Sequence, residues 1–131
     1  MSAKDATEGR GEPAIRTMPL PRDANASGDI FGGWILSQMD LAGGIVASER
    51  AGGRTVTVAV EGMKFHRPVF VGDTVSCYAR IVRIGRSSIT VDVETVARRR
   101  HVREEVTVTE GLFTYVAVDE NGCPRAVNRV D

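Results

Sequence analysis

From Gly32 to Arg50 apolar side chains recur at helical spacing, and from Thr55 onward the period drops to two and stays there. Ile35, Met39, Ala42 and Val46 share one face of a single long helix, which Gly52-Gly53 ends. Beyond it Val56, Val58 and Val60 alternate with Thr55, Thr57 and Ala59, a strand of about eleven residues in which Gly62 predicts a bulge before Phe65. Gly72-Asp73 turns into a strand over Thr74 to Ile84, and Gly85-Arg86 joins it tightly to a partner running from Ser87 to about Ala97. A last strand, Val106 to Val118, carries apolar residues on both parities toward its end, the pattern of a strand covered on both faces. Ahead of the helix, Ile15 to Met18 reads as a short strand cut off by Pro19 and Pro21. One helix is too little to cover both faces of a parallel sheet. The predicted fold is therefore α+β, an antiparallel sheet curled around one helix, with an uncovered side and free edges that pairing of two subunits would remove.

A chain of 131 residues is about one domain long and buries roughly two-thirds of its unfolded surface. Residues 1 to 14 are polar and aperiodic, so a flexible tail is expected there, followed by a single domain over 15–131. Seventeen basic and seventeen acidic side chains cancel, which removes the field that draws strongly basic domains to nucleic acid. The dense run Arg98-Arg99-Arg100-His101-Val102-Arg103 reads first as a solvated strand end. No apolar run approaches the roughly 20 residues that cross a bilayer, and the first ten residues lack the apolar centre of a secretory signal, so a cytoplasmic location is expected. Cys77 and Cys123 have no metal-ligand spacing and read as reduced thiols, with no metal site implied.

Asp40 is the oddity of the helix. Three, four and seven residues beyond it stand Gly43, Gly44 and Ala47, so its side of the helix is small. Two interior glycines destabilise a helix by about 1 kcal/mol each relative to alanine, so something requires close approach there, either a neighbouring backbone or a ligand. The plain reading of Asp40 is a carboxylate in water; the functional one is a general base or nucleophile in a partly dry groove. Upstream, Asn25-Ala26-Ser27-Gly28-Asp29-Ile30-Phe31-Gly32-Gly33 leads a glycine-rich loop into the helix, where free N–H groups and the positive dipole end favour negative charge. His66, at a strand end, reads as a surface or structural group. Glu110 shares the parity of Val106, Val108 and Leu112 and reads as a partly buried carboxylate with a partner.

The segment Asp23-Ala24-Asn25-Ala26-Ser27-Gly28-Asp29-Ile30-Phe31-Gly32-Gly33-Trp34-Ile35-Leu36-Ser37-Gln38-Met39-Asp40 closely resembles the signature of YciA-type acyl-CoA thioesterases. The resemblance continues through Val56 to Met63, Arg67-Pro68-Val69, Val71-Gly72-Asp73, Gly85 to Ile89 and Phe113 to Asp119, from about residue 17 to 127. It implies a hot-dog fold, a five-stranded antiparallel sheet wrapped on one long helix, with dimers that assemble into hexamers as trimers of dimers and active sites at the dimer interface. It also implies hydrolysis of acyl-CoA over a broad range of chain lengths, with no cofactor beyond the coenzyme A of the substrate.

The catalytic aspartate of that family matches Asp40, and an asparagine contributed by the partner subunit matches Asn25. With those roles, Asn25 and the backbone N–H groups of Gly32 and Gly33 polarise the thioester carbonyl. Arg86, Ser87 and Ser88 in the hairpin turn, with Arg98 and Arg99, are the candidates for the coenzyme A phosphates. The connection between Arg100 and Glu105 is shorter than the usual loop, and no longer tail follows Val127. Two other readings compete with hydrolysis. An acyl-CoA sensing module would bind the ligand without cleaving it, and a hydratase would want a histidine facing a carboxylate, a context His66 lacks.

Overall fold

The computed structural model describes residues 10–127. In chain order these form β1 (Ile15–Thr17), a single 3-10 turn (Pro21–Asp23), α1 (Gly32–Ala51), β2 (Thr55–Phe65), β3 (Thr74–Ile84), β4 (Ser88–Arg98) and β5 (Glu105–Ala117). The strands make one sheet in the order β1-β3-β4-β5-β2, and every neighbouring pair is antiparallel. This is the five-stranded sheet around one helix that the hot-dog resemblance implies.

The helix lies across one face of the sheet. Ile35, Met39, Ala42, Ala47 and Ala51 point inward, against Val75 and Cys77 of β3, Ile89, Val91 and Val93 of β4, and Phe113, Tyr115 and Ala117 of β5. The inward face is turned slightly from the predicted one: Gly43 and Ala47 are buried and Val46 only half-buried. Small residues along it let the helix settle close to β5. At its C-terminus Gly52 adopts the left-handed conformation (φ 69°), and the N–H groups of Gly52 and Gly53 return to the carbonyls of Glu49 and Ser48.

Bulges decide which side chains face the core. β2 slips register between Glu61 and Lys64, where Gly62 has φ 71°, as its sequence predicts. A second slip, between Thr95 and Val96 of β4, leaves Val108 of β5 as the extra residue, so Val108 and Thr109 are both buried. Beyond that point the inward parity is Gly111, Phe113, Tyr115 and Ala117. Glu110 therefore stands exposed on the outer face, which corrects the reading that gave it a partly buried place. Leu112 also stands exposed there, so the end of β5 is covered on one face of the protomer and not on both.

Of the tail expected over 1–14, residues 1–9 lie outside the described residues. Arg10 donates two hydrogen bonds to Glu94 of β4, at 2.7 and 3.0 Å, and the N–H of Ala14 bonds the carbonyl of Cys77 at 2.9 Å. At the C-terminal end of β4, the Asp73 carboxylate is held by two donors. It accepts from the Phe70 N–H at 2.9 Å and from Arg99, whose guanidinium also donates to the Pro68 carbonyl and lies 4.8 Å over the Phe70 ring. The Asp73 side chain is 3% exposed, so the pair clamps the loop from Pro68 to Asp73 from inside.

Two stability predictions follow from this packing. Met39 is fully buried beneath the helix, so Met39→Ala should cost about 2–5 kcal/mol in denaturant unfolding; a loss below 1 kcal/mol would contradict the packing. Asp73→Asn keeps an acceptor but removes the charge Arg99 faces, so it should cost about 1.5–3 kcal/mol by the same measurement.

Candidate active site

Asp40 is the ninth residue of α1 and half-buried, so the reading that leaves it in open water is corrected. Its Oδ1 accepts a 2.7 Å hydrogen bond from the hydroxyl of Thr57 on β2. The hydroxyl of Tyr115 on β5 lies 3.1 Å from the same oxygen and 2.9 Å from the backbone carbonyl of Asp40. Thr57 and Tyr115 are register partners in the β2–β5 ladder, which is why one helical carboxylate meets both.

The first of the two glycines after Asp40 now has a cause. A Cβ on Gly43 would overlap the Tyr115 hydroxyl and sit 3.0 Å from two of its ring carbons, whereas one on Gly44 would make ordinary contact at 3.7 Å. At Gly43 close approach is thus required by a side chain of the sheet, while Gly44 lines the groove beside Asp40. Burial pushes the Tyr115 hydroxyl well above its ordinary pKa, and the charge and hydrogen bond of Asp40 add to that effect. Tyr115 therefore stays a donor at any working pH.

In front of these groups runs a groove of about 370 Å³, open to solvent and lined by Asp40, Leu41, Gly44, Ile45, Thr57 and Tyr115. Leu41 and Ile45 give it an exposed apolar wall. A larger open depression of about 650 Å³ lies at the C-terminal end of α1, beside Arg54 and Arg125, and holds none of the predicted catalytic residues. Among the described residues no group of three or more His, Cys, Asp or Glu side chains is placed to hold a metal ion.

Asn25 is exposed in the loop before the helix. Its side-chain oxygen accepts from the N–H groups of Ser27 (2.9 Å) and Asp29 (3.1 Å), which fixes the amide orientation and leaves its NH₂ outward. Gly32 and Gly33 open α1, ahead of the first intrahelical donor. Eight residues separate Gly32 from Asp40, about 12 Å along the axis. One carbonyl group cannot touch both within a single protomer.

The predicted phosphate-binding residues divide between opposite ends of β4, a strand of 11 residues and so about 33 Å long. Arg86 is exposed, and Ser87 and Ser88 half-buried, at the end nearer Asp40, where Ser88 pairs with Val116 and Ile89 with Tyr115. Arg98 is exposed at the far end, and Arg99 there is engaged with Asp73, Pro68 and Phe70. Arg99 thus clamps a loop through one guanidinium nitrogen. Sequence reasoning missed Thr57 and Tyr115; the glycines three and four residues after Asp40 carried the signal for the second.

The chain has many relatives with this architecture. It is 51% identical to the acyl-CoA thioester hydrolase YciA of Salmonella typhimurium, over 95% of this chain and 96% of that one. A hexameric thioesterase of Yersinia pestis superposes with a TM-score of 0.87 at 51% identity, covering 92% of this chain and 98% of the other. A hexameric broad-specificity acyl-coenzyme A thioesterase, solved as an aspartate-to-alanine mutant enzyme, gives 0.88 at 48% identity over 92% and 89% of the two chains. The model of the Thioesterase superfamily matches residues 27–104, a span that runs from the Asn25 loop's far side through Asp40 and Thr57 to the start of β5, and the chain belongs to that superfamily.

Proposed function

We propose that this protein hydrolyses acyl-CoA to a free carboxylic acid and coenzyme A, with Asp40 as the catalytic carboxylate. The observation that carries the reading is the carboxylate itself, half-buried on the wall of an open groove and oriented by two hydroxyl donors. Such a group draws a proton from water as that water attacks the acyl carbon, or attacks the carbon directly. Either route places negative charge on the thioester oxygen, and collapse of the tetrahedral intermediate expels coenzyme A as its thiolate. In the first route the leaving thiolate recovers that proton from Asp40; in the second, water hydrolyses the mixed anhydride left on Asp40, which releases the acid, frees the carboxylate and supplies the thiolate's proton.

The groups that receive the oxyanion come from a second protomer in this reading. The axial separation of Asp40 from Gly32 and Gly33 excludes one chain from supplying both sides of a carbonyl, so the NH₂ of Asn25 and the N–H groups of Gly32 and Gly33 act from the partner. β2 supplies a means of pairing. It is an edge strand of 11 residues with Val58 and Val60 exposed, against only three residues in β1 at the opposite edge. Pairing through β2 sets Thr57 and the groove beside the partner chain, and three such dimers make the hexamer named for the relatives. Arg86, Ser87 and Ser88 are the phosphate contacts this reading favours, because they share Asp40's end of the sheet. The free thiols of Cys77 and Cys123 suit the reducing cytoplasm, where we place the enzyme.

An acyl-CoA sensor would use the same groove without turnover, and a thiol-detecting assay over a panel of acyl-CoA chain lengths separates the two. The hydrolase reading requires thiol release with at least one of them. Asp40→Asn should keep acyl-CoA binding while turnover falls by about 10²-fold or more. Unchanged turnover in that variant would remove Asp40 from the chemistry.

A further inference from the structure

We propose that Tyr115 is a positioning residue for the reaction: with Thr57 it holds Oδ1 of Asp40 so that Oδ2 is the oxygen presented to the substrate, and Gly43 is the notch that admits it. The inference rests on the reading of Asp40 as the catalytic carboxylate.

Both hydroxyls converge on one carboxylate oxygen, at 2.7 and 3.1 Å, and no described residue donates to the other. A carboxylate turns readily about its last torsion. Two donors on one oxygen, approaching from two different strands, fix that plane and leave the second oxygen free on the groove side. The donor from β5 is itself immobile. Tyr115 is 1% exposed, its ring stacks at 6.4 Å on Phe113, and its register neighbours are Ile89 on β4 and Thr57 on β2. Its hydroxyl reaches Asp40 only through the space Gly43 leaves.

A purely structural account is available. The single hydroxyl proton of Tyr115 is shared between Oδ1 and the backbone carbonyl of Asp40, which is the nearer acceptor at 2.9 Å, and a buried hydroxyl needs some acceptor. On that account losing the hydroxyl would lower stability without touching turnover in the folded enzyme, so the split between kcat and KM separates the two.

The test is Tyr115→Phe in the full chain, with Asp40→Asn measured beside it. The expected result is a kcat lower by about tenfold or more, with KM within about twofold of the parent. Gly43→Ala should reproduce the loss of kcat in the parent, and should cost less when Tyr115 is already phenylalanine. If Tyr115→Phe does not fold, Thr57→Val, which removes the other donor to the same oxygen, carries the same kcat-against-KM test. Parental kcat in Tyr115→Phe, with Asp40→Asn inactive, would assign Tyr115 to packing alone and overturn the proposal. An active Asp40→Asn would overturn the reading beneath it as well.

Discussion

The hydroxyl of Tyr115 reaches Asp40 only because the helix has no side chain at Gly43, and much of the molecule is arranged around that contact. Glycine within a helix costs about 1 kcal/mol relative to alanine. Here it lets α1 settle onto β5 closely enough for an aromatic ring to be enclosed beneath it, beside Phe113. Ala42 and Ala47 continue the small face on either side. A bulkier helix face would lift α1 off the sheet, and Asp40 would leave the reach of both Thr57 and Tyr115.

In the proposed reading a lone protomer is incomplete. Asp40 sits midway along the helix, while the donors suited to an oxyanion sit at its beginning, about 12 Å away. The carboxylate faces β2, an exposed edge strand whose outward valines and unsatisfied backbone invite pairing. A site shared between two chains resolves both conditions together. The outer face of the sheet, with Leu112 and Glu110 exposed, lies on the side away from α1.

Much of the fold was legible because its period changes once and each element ends on a residue that cannot continue it. Gly52-Gly53 marked the end of the helix, Gly62 the bulge in β2, and Gly85-Arg86 the tight hairpin. Side-chain direction after a hidden bulge was not legible. The slip at Val108 has no glycine to announce it, so counting by twos from Val106 placed Glu110 inward when it faces out. Long-range pairing was equally invisible. Nothing in the run Arg98-Arg99-Arg100 distinguishes the arginine that meets Asp73, 26 residues away, from its neighbours. The carboxylate of the site was recognisable from its glycine neighbours and from the family signature, but its supports, Thr57 and Tyr115, lie on two strands that only the sheet register brings together.

A shared site is tested most directly by mixing two inactive chains. Asp40→Asn and Asn25→Ala protomers, unfolded and refolded together, should regain about a quarter of the parental activity, since random pairing leaves one intact site in each mixed dimer. Mixed oligomers that form and stay inactive would contradict a carboxylate and an oxyanion donor contributed by different chains.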